Sequence, residues 1–489
     1  MPSTDSAALA RGGRTNFFGF LLRLSARFPF LILAARLYGA EELGRFAYAT
    51  MVAEFAAALA VLGLKRGLAQ EMARGIAGSE ESGHMAESHV LADALTLGLG
   101  LAFVATLLLL AVPVLLYPDG MGHPAQILLA LVVPFIVISD ITLAALAFRH
   151  RIGAAVTARS VVEPWVLAGA AVALALTPVK HSGLLLAYFI SLAAAAVASV
   201  RPAMRMFDRP RGWRPSLSRC IAMARRNIPL AGAEIIEWTT RRLDIFILGR
   251  FVSAEVVGIY YVAQQVASLA GKVRSSFDPI LAPMLSTALH NGNRAQAAGH
   301  VRQVGFWLIA FQLPIVLALG LPAEGILGLF GPEFAVGGLV LALLLLAELA
   351  GANASLSEMA LIYARPRRNL LISIQGLALQ AALSFALVPF LGGVGAALAL
   401  ALSMVVVGIA KLVMLGRALD APVNFWRPSL LLAALPAIGL GLAARSLPEL
   451  PQMLVTIPGV LILFAFIIWR FGFGPDDRLL FAGAKKARR

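Results

Sequence analysis

Hydrophobic positions along the chain fall into continuous runs of about 20 residues, not into alternating pairs. Each run is long enough, as a helix rising about 1.5 Å per residue, to cross a hydrocarbon layer of roughly 30 Å. Fourteen such runs are predicted, at 15–37, 44–64, 90–117, 123–147, 156–177, 182–200, 228–250, 254–276, 301–321, 333–363, 369–389, 392–415, 428–446 and 452–471. Unbroken apolar runs exclude a membrane β-barrel, whose strands alternate between lipid and lumen. The expectation is an all-α polytopic membrane protein with about 14 transmembrane helices.

One segment occurs twice. LAARLYGAEELGRFAYA, residues 33–49, aligns without a gap on ILGRFVSAEVVGIYYVA, residues 247–263, at an offset of 214 residues. Arg36 falls on Arg250, Ala40 on Ala254, Glu41 on Glu255, Gly44 on Gly258 and Ala49 on Ala263. In both copies a short polar turn joins two apolar runs, the mark of an internal duplication. The domains expected are a six-helix bundle at 1–200, a basic linker at 201–227, a second six-helix bundle at 228–415, and two extra helices with a basic tail at 416–489. An even number of spans in each half makes the repeats parallel, with an inward- or outward-opening cavity expected between them.

Charge sharpens the topology. The chain is 60% hydrophobic and 14% charged, yet carries a net charge of +15. When loops are assigned alternately to the two sides, about 30 of the 41 Lys and Arg fall on the side of the N-terminus. That bias places both termini in the cytoplasm of a multi-pass inner-membrane protein, and it assigns the excess charge to topology and membrane lipids, not to nucleic acid. The first span is too long for a signal-peptide core and is expected to stay uncleaved. The single Cys220 allows no internal disulfide. The sequon at Asn353 lies inside an apolar run and carries no meaning for glycosylation.

The stretch from Arg36 through Gly39-Ala40-Glu41-Glu42 and Gly44-Arg45-Phe46-Ala47-Tyr48-Ala49, followed by Leu62-Gly63-Leu64, resembles the bacterial polysaccharide and O-antigen flippases. These belong to the multidrug/oligosaccharidyl-lipid/polysaccharide exporter superfamily. The resemblance implies export of a polyprenyl-diphosphate-linked oligosaccharide across the inner membrane by alternating access, for O-antigen, capsule or exopolysaccharide. It also implies a polysaccharide polymerase and a chain-length regulator as partners.

Ionisable groups inside spans are costly unless they face a cavity or a partner, so they are the candidate functional residues. Span seven holds Glu234, Glu237, Arg241, Arg242 and Asp244; Glu234, Glu237, Arg241 and Asp244 are spaced to share a helical face. Subtracting the repeat offset from Arg241 lands on Arg27 in span one, which gives each half an arginine at equivalent depth. A guanidinium stays charged and grips phosphate oxygens bidentately. Arg27, Arg241, Arg242 and Arg23 are therefore the expected substrate-binding residues. Asp140, Glu54, Glu237, Glu234 and Glu358 are the expected ion-coupling residues, serving an H⁺ or Na⁺ gradient. The competing reading makes such acids members of local ion pairs, as with Glu163 and Arg159 at a spacing of four. No catalytic, metal or cofactor motif is found. The alternatives are a cation-coupled multidrug exporter, for which an acid-dominated cavity is expected, and a membrane enzyme, for which the short outer loops leave little room.

Overall fold

The computed structural model describes residues 3–77, 83–116, 127–275, 277–474 and 477. The chain divides into two compact units, residues 1–246 and 247–489. In the first lie α1 (Ser3–Val61), α2 (Leu64–Ala77), α3 (Gly83–Ala111), α4 (Ile127–Ala130), α5 (Val132–Phe148), α6 (Ile152–Val156), α7 (Glu163–Ala175), α8 (Gly183–Met206) and most of α9 (Leu217–Phe251). The second holds α10 (Ala254–Ser275), α11 (Asp278–His290), α12 (Arg294–Gly320), α13 (Ala323–Gly328), α14 (Gly338–Ala364), α15 (Pro366–Leu419), α16 (Pro428–Ala443) and α17 (Glu449–Ile467). The division falls inside α9, downstream of the basic segment 201–227, because α9 up to Phe246 packs on or bonds to α1, α2 and α3.

Nine described helical stretches are long and apolar enough to cross a membrane, and two of these are of double length. α1 has 59 residues and α15 has 54, far more than a span needs. Each is folded at a glycine with positive φ, Gly39 at +80° and Gly392 at +54°, a conformation in which a side chain would be strained. Counting both double stretches as two passes, and adding the 17-residue α5 and the charge-bearing α9 and α10, yields the fourteen segments expected from hydropathy. The duplicated seventeen residues form an interhelical turn in both copies, at Gly39 in the first and at Val252–Ser253 in the second.

The offset extends beyond the matching residues. α2 is an amphipathic helix that buries Leu64, Leu68 and Met72, and adding 214 carries its bounds to 278–291. There α11 buries Leu281, Leu285 and Ala288. Neither helix belongs to an apolar run, so hydropathy alone does not disclose them.

Within the first unit small residues face inward and large ones outward. Ala34, Ala35, Ala49, Ala53, Ala57 and Ala60 of α1 are buried, whereas Phe103, Leu107 and Leu108 of α3 are exposed. This inverts the soluble pattern. Lipid tails are as apolar as leucine, so close backbone packing, not water exclusion, holds the helices together.

A seam between α9 and the second leg of α1 followed by α2 organises this unit. Phe246 stacks on Tyr48 with ring centroids 6.2 Å apart, and Trp238 packs on Phe55 at 4.9 Å. Further along, Arg66 meets Glu234 at 3.3 Å and Arg226 forks onto Glu71 at 2.6 Å and 3.0 Å. Residue numbers rise on one side of the seam as they fall on the other, so the elements run antiparallel. At the α1–α2 junction the backbones nearly touch: a Cβ placed on Gly63 would lie 2.6 Å from the Ala231 nitrogen. Nearby, the Asn227 amide is buried against Gly67 and donates to the Met223 carbonyl at 2.9 Å. The basic segment before the seam is anchored by Asp93 of α3, which accepts from Trp213 Nε1 and Arg219 Nε, both at 2.8 Å. Gly63→Ala is expected to cost about 1–3 kcal/mol through overpacking and to lower the thermal midpoint of the detergent-solubilised protein. Gly169→Ala, on exposed α7 with nothing nearby, is expected to leave the midpoint unchanged or slightly raised.

In the second unit Asp477 ties three helices together. It accepts from Trp307 Nε1 at 2.8 Å, from Arg427 Nη1 at 2.6 Å and from the Gly474 backbone N–H at 3.0 Å, and the Arg427 guanidinium lies 3.7 Å over the Phe306 ring. Burial alone would raise the Asp477 carboxyl, but the bonds from Arg427, Gly474 and Trp307 hold it below its ordinary value. A lowered carboxyl contributes stability that is fully present above its unfolded pKa and is lost as pH falls through the folded one. Asp477→Asn is therefore expected to lower the thermal midpoint at neutral pH, followed by Trp307 fluorescence. The gap from wild type should close in strong acid.

Candidate functional site: an ion network in the spans of the first unit

Two charges equidistant from a turn create the centre of the network. Asp140 on α5 precedes the turn at His150 by ten residues, and Arg159 follows it by nine. The hairpin brings them together, and Arg159 Nη2 is ion-paired with Asp140 Oδ1. Arg159 sits on a π-helical stretch, Thr157–Val162, and its Nη1 also reaches Glu163 Oε2 at 2.8 Å. The extra residue in a π turn re-aims side chains, which is why such turns recur at functional sites. Lys65 at the start of α2 stands 4.0 Å from the other Asp140 oxygen.

The network continues to α8 and α9. Tyr188 donates to Glu54 Oε1 at 3.2 Å, and Arg242 Nη2 lies 3.7 Å from Glu54 Oε2. Among these groups Glu54, Asp140, Glu163 and Glu234 each have a basic partner in Arg242, Arg159, Lys65 or Arg66. An ionised carboxylate in low dielectric is tolerable only with such compensation.

The remaining candidates are dispersed. Arg27 is half-buried on α1, two residues before Pro29, and Arg241 is exposed on α9. The expected charged stripe of span seven is not uniform. Glu234 is largely buried and Asp244 wholly so, while Arg241, only about 20° round the helix from Glu234, is exposed, so what packs at each level along the axis and not angular position alone sets burial. Arg242, off that stripe, is the residue that reaches Glu54. The side chains of Arg23 and Glu237 lie outside the described residues. Glu358 belongs to the second unit, where Lys411 Nζ meets it at 2.8 Å and also donates to Ser373 at 2.9 Å.

Lys411, Lys65, Arg66 and Tyr188 are absent from the residues singled out by sequence. Lys411 is the only charge in the run 392–415 and was visible on that ground. Lys65 and Arg66 sit in the amphipathic α2, and nothing about Tyr188 distinguishes it from a packing aromatic.

Helical segments of spanning length with compensated charges inside them describe a polytopic membrane protein, and the comparisons share that fold. The lipid II flippase MurJ, in an inward-closed conformation, superposes with a TM-score of 0.75 at 13% identity, covering 95% of this chain and 100% of that one. An inward-facing multidrug resistance MATE transporter of the MOP superfamily gives a TM-score of 0.63 at 14% identity over 82% of this chain and 98% of its own. A MOP superfamily transporter from Pyrococcus furiosus gives 0.57 at 15% identity over 84% and 95%. At these identities the likeness establishes the fold. No curated protein matches in sequence. A family profile described as polysaccharide biosynthesis protein matches residues 17–289, more than half of the chain, and the chain belongs to that family.

The ion triad of Arg159 has a testable energetic signature. Arg159→Leu alone, which strands two carboxylates, is expected to destabilise by about 3–5 kcal/mol, whereas Arg159→Leu combined with Asp140→Leu and Glu163→Leu should recover most of that loss. Thermal unfolding in matched detergent checks both. If the triple variant also exports normally, the triad serves packing only.

Proposed function

We propose that the chain is a flippase that carries a polyprenyl-diphosphate-linked oligosaccharide across the bacterial inner membrane by alternating access, with both termini in the cytoplasm. The observation that carries this reading is the family match over 17–289, which spans both arginine-bearing helices, α1 with Arg27 and α9 with Arg241 and Arg242. Guanidinium groups within the spans suit a diphosphate. The pairing of Glu54, Asp140 and Glu163 with Arg242, Lys65 and Arg159 supports an anionic cargo over a cationic one, since these acids are already neutralised. Glu54, held between Tyr188 and Arg242, is the acid best placed to exchange a proton or meet Na⁺ as Arg242 moves to the cargo. Alternating access requires that the cargo bind the two conformations differently, and a change of partner at Arg242 would supply such a difference.

The test is binding of a short-chain polyprenyl-diphosphate glycan to the full-length chain in nanodiscs. Arg27→Ala and Arg241→Ala are each expected to weaken binding by about tenfold or more, as for loss of a charge-assisted hydrogen bond, with thermal midpoints unchanged. A wild-type protein that ignores the lipid diphosphate and binds organic cations in a proton- or Na⁺-sensitive way would instead be an exporter of cationic compounds.

A further inference from the structure

α15 is a hairpin whose legs return to one end, opposite Gly392. At that end a cavity of about 250 Å³ is lined by Arg365, Arg368 and Arg417 together with Ile372, Val413 and Met414. Three guanidinium groups converging on one space repel one another. Among the described residues none of the three has an acidic partner. Glu358 on neighbouring α14 is already paired with buried Lys411, and Asp420, three residues past Arg417, with Arg294. The first turn of α15, with Arg365 at its N-cap, adds backbone N–H groups that favour an anion.

Apolar surface leads away from the arginines along the second leg. Val413, Ile409, Val406 and Leu402 recur at intervals of four, three and four residues, so they share one face. All four are exposed, at 43–59%. In a membrane chain such a face lies against lipid, and this one extends about 16 Å inward from Val413. Gly376 keeps the hairpin tight against Val407, and Gly408 brings the second leg close to α14, which leaves the outer face of this leg open.

We propose that this cavity holds the phosphate of an anionic phospholipid, with an acyl chain laid along Val413, Ile409, Val406 and Leu402. A basic pocket at the end of membrane helices is the arrangement that selects acidic headgroups, and a lipid phosphate relieves the repulsion among the three arginines. The site is separate from the cargo-binding residues proposed on α1 and α9 and requires only that the chain lie in a membrane.

The experiment uses the full-length protein in phosphatidylcholine nanodiscs doped with phosphatidylglycerol that carries a photoactivatable group on an acyl chain. Wild type is expected to be labelled between residues 402 and 419, and the phosphatidylcholine analogue at the same level should label that segment far less. Arg365→Gln, Arg368→Gln and Arg417→Gln combined should cut the phosphatidylglycerol label there by about tenfold or more, while Lys at all three positions retains it. Equal labelling by the two lipids in wild type overturns the proposal without recourse to any variant. Undiminished labelling of a folded Gln variant overturns it too. If excess inorganic phosphate abolishes the labelling, the cavity is a site for soluble anions and not for a lipid headgroup.

Discussion

The antiparallel seam between α9 and the second leg of α1 with α2 is the contact on which the rest of the first unit depends. Stacked aromatics hold it along one stretch, paired ions along the next, and bare glycine backbone at the α1–α2 junction. Each kind of contact suits its surroundings. Aromatic pairs and close backbones need no water to drive them, whereas the multiply bonded Glu71, Arg226 and Asn227 would be costly without one another. Because the seam fixes α9 against α1, it also fixes Arg242 against Glu54, and thereby the edge of the ion network.

The network itself follows from a single rule, that charge within a hydrocarbon layer must be compensated locally. Arg159 compensates two carboxylates from a π-helical stretch, and Tyr188 and Arg242 share Glu54. A fully compensated network gives the acids little to gain from a cation, and it leaves a competing anion as the ligand that disturbs it most. The same rule acts at Lys411 and Glu358 in the second unit, and at Arg427 and Asp477 near its end. The three arginines at the end of α15 depart from it, and the departure sits where a lipid phosphate is at hand.

Much of the architecture was legible without coordinates. Each of the fourteen apolar runs overlaps a helix among the described residues, and the seventeen-residue repeat marked an interhelical turn in both copies. Hydropathy missed α2 and α11, because α2 carries many polar residues and α11, at 13 residues, is too short to register as a span. The site was legible as a set of charges but not as a set of pairs. Glu163 and Arg159, four apart on one helix, could be matched by spacing, while Arg242 with Glu54 spans 188 positions.

The sequence by itself determined what the membrane demands of any chain: helical spans of the right length, short turns between them, and few charges within. These follow from local solvation and backbone sterics, which act on each residue whatever its distant neighbours. Only the tertiary structure decided which charges neutralise one another. A span carries charge on several faces, and helix packing alone settles which face meets which. That packing made Asp140 and Glu54 partners of arginine and gathered Arg365, Arg368 and Arg417 around one cavity.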